Sequence, residues 1–216
     1  MRETIRRILV GRTPIARGTR SATVPRGEFL AIAMRLVDRA HELLAEALSE
    51  GDLAIDATAG NGHDVAFLAE QVGRSGMVYA FDLQKDAIEA TAELLTEKAL
   101  ENVELHQCGH ERMNERLPSE SMGKFGAVTF NLGYLPGGDK SVITQTKTTR
   151  MALRLSLDLL SPGGLLVVVA YRGHSGGSEE CNGVVEELSS LKENLSIEGD
   201  RAPDATSPLL LTARKA

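Results

Sequence analysis

Two cysteines in 216 residues, Cys108 and Cys181, stand far apart with no C-x-x-C spacing. They read as reduced thiols rather than as a disulfide framework or a metal site. No run of 18 apolar residues exists, and the first residues lack the apolar core of a signal peptide, so neither a membrane span nor secretion is expected. The cytoplasm is the expected compartment. Metal-ligand spacing is missing too: His106 and His110 have no companion set, so no metal is expected.

Net positive charge is concentrated at one end. Residues 1–28 hold seven arginines against two glutamates, a net +5, which leaves −11 on the remainder of a chain that totals −6. Arg2, Arg6, Arg7, Arg12, Arg17, Arg20 and Arg26, spaced by Gly11, Pro14, Gly18 and Pro25, form a flexible basic arm able to neutralise nucleic-acid phosphates. A tail with no specific partner and an Arg-rich organellar transit peptide are the other readings. The rest, 29–216, is long enough for one domain with a full core, at 42% hydrophobic and 25% charged positions over the whole chain.

Within that domain, residues 29–49 carry Leu30, Ala33, Met34, Val37, Ala40, Leu44 and Leu48 at helical spacing and stop at Gly51. His41 on this helix reads as a partly buried histidine or as a cap on a cofactor pocket. Apolar runs at 53–57, 77–81, 103–106, 127–130 and 165–170 then alternate with helical stretches at 64–72, 85–98, 147–160 and 179–191. Fully apolar strands alternating with helices predict a doubly wound, mainly parallel sheet covered on both faces. Residues 195–199 and 209–213 complete seven strands, with one antiparallel member at the C-terminus.

Asp56-Ala57-Thr58-Ala59-Gly60-Asn61-Gly62 follows the first strand and opens a helix, where glycines let a backbone approach a ligand closely. A dinucleotide fingerprint would require a small residue at position 65, and the chain has Val65. Asp82 ends the second strand, placed to accept both hydroxyls of a ribose, with Gln84 just beyond; a plain helix N-cap is its alternative role. The third strand ends at Cys108-Gly109-His110, where sheets of this kind meet an adenine. A ribose acid and an adenine edge without a pyrophosphate cradle describe S-adenosylmethionine better than a nicotinamide. Its charged amino-acid end needs polar groups, and Asp56, Asn61 and His63 are at hand.

The fourth strand, from Phe125, runs into Asn131-Leu132-Gly133-Tyr134-Leu135-Pro136-Gly137-Gly138-Asp139-Lys140. A carboxamide, an aromatic face and a glycine-rich loop at a strand end suit a flat, nitrogen-bearing group. Together with the glycine loop, Phe81-Asp82-Leu83-Gln84 and Gly109-His110-Glu111, this segment resembles the YtqB/MnmM family of class I S-adenosylmethionine-dependent methyltransferases, long labelled rRNA methylases. The resemblance covers the chain from about Leu36 onward and leaves out the arm. It implies a Rossmann-like fold and methylation of the aminomethyl nitrogen of 5-aminomethyl(-2-thio)uridine at the tRNA wobble position 34.

It further implies that Asn61, Asp82, Gln84 and Cys108 to His110 hold the cofactor, although Cys108 and Gly109 stand where Asp-Ser or Asp-Gly is more usual. A more distant likeness links Asn131 to Tyr134 with the Asn/Asp-Pro-Pro-Tyr/Phe loop of amino-directed methyltransferases. Asn131 is thus expected to meet both cofactor and acceptor amine, and Tyr134 to stack on the base. Pro136, Gly137 and Gly138 would form the closing loop, while Asp139 or His174 would take the proton. Tyr171, Arg172 and His174, after the fifth strand, should flank the same cleft, and Lys140, Arg172 and Arg150 could meet anticodon-stem phosphates. An rRNA methyltransferase and a methyltransferase of a small amine are the alternatives. A homodimer, common for this fold, would set one subunit's arm beside RNA held by the other; the sequence does not fix the oligomeric state.

Overall fold

The computed structural model describes residues 26–138, 141–191, 195–199 and 207–216. In chain order the elements are α1 (Arg26–Ala47), β1 (Leu53–Asp56), α2 (His63–Val72), β2 (Met77–Asp82), α3 (Lys85–Glu97) and β3 (Val103–Gln107), then two short 3₁₀ turns, β4 (Phe125–Leu132), α4 (Thr146–Leu159), β5 (Leu160–Ala170), α5 (Gly177–Ser190), β6 (Leu195–Gly199) and β7 (Leu209–Lys215). The basic arm lies outside the described residues up to position 25, and α1 starts at Arg26, three residues earlier than the apolar spacing suggests.

The seven strands lie in the order β3-β2-β1-β4-β5-β7-β6. β7 runs antiparallel to both neighbours, and the β1 to β5 pairings are parallel, as the sequence predicts. Chain order reverses between β1 and β4, which opens a crevice at their carboxyl ends. The strand alternation sorts side chains into two cores. Ile55, Phe81, Val128, Phe130, Leu166 and Val168 face α4 and α5, with Ala152, Leu153, Val184 and Leu188 among the residues packed there. Ala54, Val78, Ala80, Ala127, Val167 and Val169 face α1 and α2, where Ala40, Leu44, Leu48, Val65 and Leu68 cover them. Each fully buried phenylalanine contributes about 1.5–3 kcal/mol over an exposed one.

One strand departs from the predicted pattern. β5 begins at Leu160, not 165, because Leu160 already pairs with Phe125; the register then shifts, and Ala127 pairs with Leu165. Ser161 to Gly164 form an irregularity, with Gly163 at φ +79°, that apolar spacing does not report. A second unpredicted device ends α2: the buried Asn102 carboxamide donates to the Ala69 and Gly73 carbonyls at 3.0 and 2.8 Å. That satisfies acceptors the helix end would leave unmet. No helix among the described residues is long and apolar enough to cross a membrane.

Candidate active site

The glycine loop is held from three sides. Ala57 N–H donates to Thr129 O, Ala59 N–H to Phe81 O, and the Thr91 hydroxyl of α3 to Gly60 O. Gly62 needs to be glycine twice over: its φ is +82°, and a Cβ there would sit 2.9 Å from Thr91 Cα. Val65, the residue that excluded a dinucleotide fingerprint, is fully buried against the sheet. Asp82 closes the loop from β2, accepting Gly60 N–H at 3.0 Å on Oδ2 and Gln84 N–H at 2.9 Å on Oδ1. A carboxylate has about four acceptor positions, so two remain for a ribose.

Asp56, at the end of β1, is buried, and its carboxyl is pushed well above the usual range by desolvation, with the charge of Asp64 and then Asp82 adding to it. Oδ1 accepts Thr58 N–H at 3.0 Å; Oδ2 has no partner. Ionising this group opposes folding. The penalty is absent below the unfolded carboxyl value of 3.8 and grows as pH rises through the elevated folded value. Asp56→Asn is therefore expected to stabilise the ligand-free protein by about 0.5–2 kcal/mol at pH 7. The gain should vanish near pH 4, and thermal melts at the two pH values check this. A melting temperature lowered at pH 7 would mean that the carboxyl is not strained.

Asn131, the penultimate residue of β4, donates its backbone N–H to Thr58 Oγ1 at 2.7 Å. Its Nδ2 lies 2.6 Å from Asp64 Oδ2, and its Oδ1 is buried with no partner. Asp64 Oδ1 lies 2.6 Å from Nε2 of His41, whose ring stacks on Phe67 at 3.9 Å between centroids and 3° between planes. Neither Asp64 nor Phe67 stood out as a site residue in the sequence, and His41 did so only weakly.

Beyond Asn131 the chain folds back on itself. Tyr134 bridges to Ile143, and Thr144 N–H donates to Gly133 O. Thr144 and Thr149 hydroxyls each donate to the buried carboxylate of Glu180 at 2.6 Å, which fastens the loop to α5. No local pattern in the chain signals this anchor. Leu135 is buried beside Gly60, and the Asn61 carboxamide donates to Pro136 O at 3.3 Å, so the two loops touch. Gly137, at φ +86°, and Gly138 form the turn, and Gly138 N–H donates to Leu135 O. Asp139 and Lys140, named above as proton acceptor and phosphate contact, lie outside the described residues.

Tyr134 is 42% exposed and meets His174 edge-on, centroids 6.0 Å apart. The loops after β4 and β5 therefore share one cleft, as strand order predicted. His174 Nδ1 lies 3.0 Å from Ser175 O, which assigns it the proton and leaves the buried Nε2 as an unpartnered acceptor. Tyr171 stays neutral, its hydroxyl pushed up to about 12 by burial and by Asp64. Two expected phosphate contacts are already engaged. Arg172 Nε donates to Ser207 O at 2.7 Å, and Arg150 Nε to the buried Glu187 at 2.8 Å. Both arginines tie neighbouring elements together, a role that spacing alone does not reveal.

At the exit of β3, the Cys108 side chain belongs to the core, and burial pushes its thiol up, so the thiol is turned away from the crevice. Gly109 lies under the Glu111 carboxylate. His110 is buried edge-on to Phe130, and burial keeps its imidazole neutral, with Nε2 unpartnered. His63, the first residue of α2, is exposed, and Gln84 precedes α3.

Four buried side-chain atoms lack a partner among the described residues: Asp56 Oδ2, His110 Nε2, Asn131 Oδ1 and His174 Nε2; His106 Nε2, buried on β3, faces Glu104 Oε1 at 3.3 Å. All four belong to residues in or just after the carboxyl-terminal halves of β1, β3, β4 and β5. Buried polar atoms without partners are costly, and their confinement to one edge of the sheet marks where a ligand's polar groups belong.

The comparisons with known proteins agree with this geometry. The family model described as "Putative rRNA methylase" matches residues 78–197. The tRNA (mnm(5)s(2)U34)-methyltransferase, chloroplastic, of Arabidopsis thaliana is 44% identical over 160 residues, 70% of this chain, and the chain spans 57% of that relative's length. A protein of the family's description from Clostridium thermocellum superposes with a TM-score of 0.79 at 36% identity, covering 83% of this chain and 97% of its own. SMU.1697c of Streptococcus mutans, solved in complex with SAH, gives 0.74 at 33% identity, with 83% and 97% covered. The chain thus belongs to the rRNA methylase family, the one its Asn131 to Lys140 segment resembles, and it carries that family's class I methyltransferase fold.

Proposed function

We propose that this protein transfers a methyl group from S-adenosylmethionine to the aminomethyl nitrogen of 5-aminomethyl(-2-thio)uridine at tRNA position 34. The observation that carries the reading is the Asn131 carboxamide. Its unpartnered Oδ1 stands between the Asp82 side of the crevice, suited to a nucleoside, and the Tyr134–His174 wall, suited to a base. The printed name of the Arabidopsis relative supports the acceptor, and SAH in the Streptococcus mutans protein supports the donor.

The residues fit that donor. Asp82 has two acceptor positions left for the ribose, and Gly60 and Gly62 allow close backbone approach. Asp56, Asn61 and His63 surround the space for the amino-acid end, where an ammonium group would draw the Asp56 carboxyl back toward ionisation. The Cys108 to Gly109 backbone and His110 Nε2 face the adenine side. S-adenosylmethionine supplies a methyl carbon on a cationic sulfur, which departs with the bonding pair as the amine lone pair forms the new N–C bond. The protein's task is alignment, which supplies much of the acceleration in a displacement of this kind. Asn131 Oδ1 accepts an N–H of the neutral amine and so turns the lone pair toward the donor. Tyr134 stacks on the uracil, Tyr171 bounds the cleft, and Pro136 to Gly138 close over the nucleotide. His174 Nε2 is free to accept the proton that the incoming ammonium must lose; Asp139 is the second candidate. Lys140 is proposed to meet a phosphate, and the tRNA anticodon loop is the proposed partner in the cytoplasm.

Nucleoside mass spectrometry of tRNA from cells lacking the protein tests the reading. The 5-aminomethyl form should accumulate and the 5-methylaminomethyl form disappear, with purified protein restoring it in vitro. Unchanged tRNA together with a missing methyl group in rRNA would move the acceptor to rRNA.

A further inference from the structure

The Asn131 carboxamide does not choose its own orientation. Asp64 Oδ2 accepts from the Asn131 atom 2.6 Å away, which is therefore the amide nitrogen, and the amide oxygen is forced to the other side, where it has no partner among the described residues. The same logic makes His41 Nε2, 2.6 Å from Asp64 Oδ1, a donor. His41 is in turn held flat on Phe67, one turn beyond Asp64 on α2. Three elements, α1, α2 and β4, thus converge on one side chain. Asp64 is left with no freedom to rotate without breaking one of its two short bonds.

We propose that Asp64 and His41 are positioning residues for methyl transfer: they lock the Asn131 carboxamide with its oxygen toward the acceptor amine. This rests on the function proposed above. A flipped carboxamide would present N–H groups to an amine whose own N–H groups need an acceptor, and the lone pair would no longer be steered to the methyl carbon. The anionic partner also polarises the amide, because a hydrogen bond donated by its nitrogen strengthens the one its oxygen accepts. Phe67 contributes by rigidity, holding the His41 ring flat so that its Nε2 donor stays on Asp64 Oδ1.

The test compares Asp64→Ala, Asp64→Asn, His41→Ala, His41→Gln and Asn131→Ala, with the double variant Asp64→Ala/Asn131→Ala. It reads kcat and KM on unmethylated tRNA, SAH affinity, and the side-chain amide signals of Asn131 in nitrogen-15 spectra, assigned by their loss in Asn131→Ala. Removing a group that orients another commonly costs about 10- to 100-fold. Asp64→Ala is expected to lose about that in kcat, with KM and SAH affinity within about threefold and the Asn131 amide signals shifted. Asp64→Asn, which keeps an oxygen for the Asn131 amide, should recover most of kcat. His41→Gln, which keeps a donor for Asp64, should likewise outperform His41→Ala. In the Asn131→Ala background, Asp64→Ala should cost little more, because its effect passes through Asn131.

Two results overturn the proposal. Losses that multiply in the double variant would give Asp64 an independent role, and an Asp64→Asn variant as slow as Asp64→Ala would make charge, not orientation, its contribution. The spectra need no substrate. If wild-type protein methylates no tRNA, the proposed function fails, while shifted Asn131 signals in Asp64→Ala still uphold the lock and unshifted ones remove it.

Discussion

Asn131→Ala is expected to lower kcat about 10²- to 10³-fold, the cost seen when one fixed dipole is removed from a reacting centre. Two features of the site make the loss fall on kcat. The backbone N–H of residue 131 keeps its bond to Thr58 Oγ1 in the variant, so the end of β4 stays attached to the glycine loop. The lost acceptor, Oδ1, has no partner among the described residues, so the one internal bond that goes with the side chain is the bond Nδ2 donates to Asp64. Single-turnover methylation at saturating tRNA, beside SAH titration, separates the two quantities. A kcat within fivefold of wild type would show that the acceptor is oriented elsewhere. Asn131→Asp is not a mild alternative: it would set a second carboxylate against Asp64 at the present 2.6 Å contact. Like charges at that distance force one of the pair to take up a proton.

Asp82→Ala is expected to weaken binding of S-adenosylmethionine and SAH about 10²- to 10⁴-fold. Hydrogen bonds to a charged group contribute about 1.5–3 kcal/mol each, and two ribose hydroxyls are involved. The variant also strips Gly60 N–H and Gln84 N–H of their acceptor, so the glycine loop loses its hold on β2. Titration calorimetry measures the affinity, and melting of the ligand-free variant separates loop loosening from lost ribose contacts. An affinity within fivefold of wild type would assign Asp82 to loop structure alone. Asp82→Asn keeps one oxygen and loses the charge, and should fall between the two.

Much of this crevice can be read from the chain without coordinates, and the reason is local. Apolar runs that end in Asp56, Asp82 and Asn131 announce both a buried strand and the polar group at its exit, because sheet geometry puts every such exit on one edge. Strand order then follows from alternation, which brought Tyr134 and His174 together correctly. Helix starts were less legible. Both α2 and α5 are preceded by glycines in left-handed conformation, Gly62 and Gly176, with no Ser, Thr or Asp to signal the cap. The start of β5 was missed because a register shift has no period to detect.

Polar partnerships were the least legible of all. His41 reaches Asp64 across 23 positions and Glu180 gathers Thr144 and Thr149 across 36 and 31, while Arg150 and Arg172 turn to partners inside the fold. Periodicity tells which face a side chain occupies. Only the assembled fold tells which groups meet there. The residues that decide how Asn131 points therefore lie in elements that, taken singly, look like ordinary covering helices.

The contact between Asn61 and the Pro136 carbonyl ties the glycine loop to the turn after β4, the two loops proposed to hold the methyl donor and the acceptor. Each side of the crevice then senses what occupies the other. If a bound nucleoside pulls Asn61 away from Pro136, the RNA-facing turn is released by the same event, and the free energy exchanged is shared by both binding equilibria. Thermodynamic reciprocity then requires that RNA alter the affinity for the methyl donor by the same factor by which the donor alters the affinity for RNA. The spent donor, which retains the ribose and the amino-acid end, would engage the same loop, so the departure of one product becomes tied to the departure of the other.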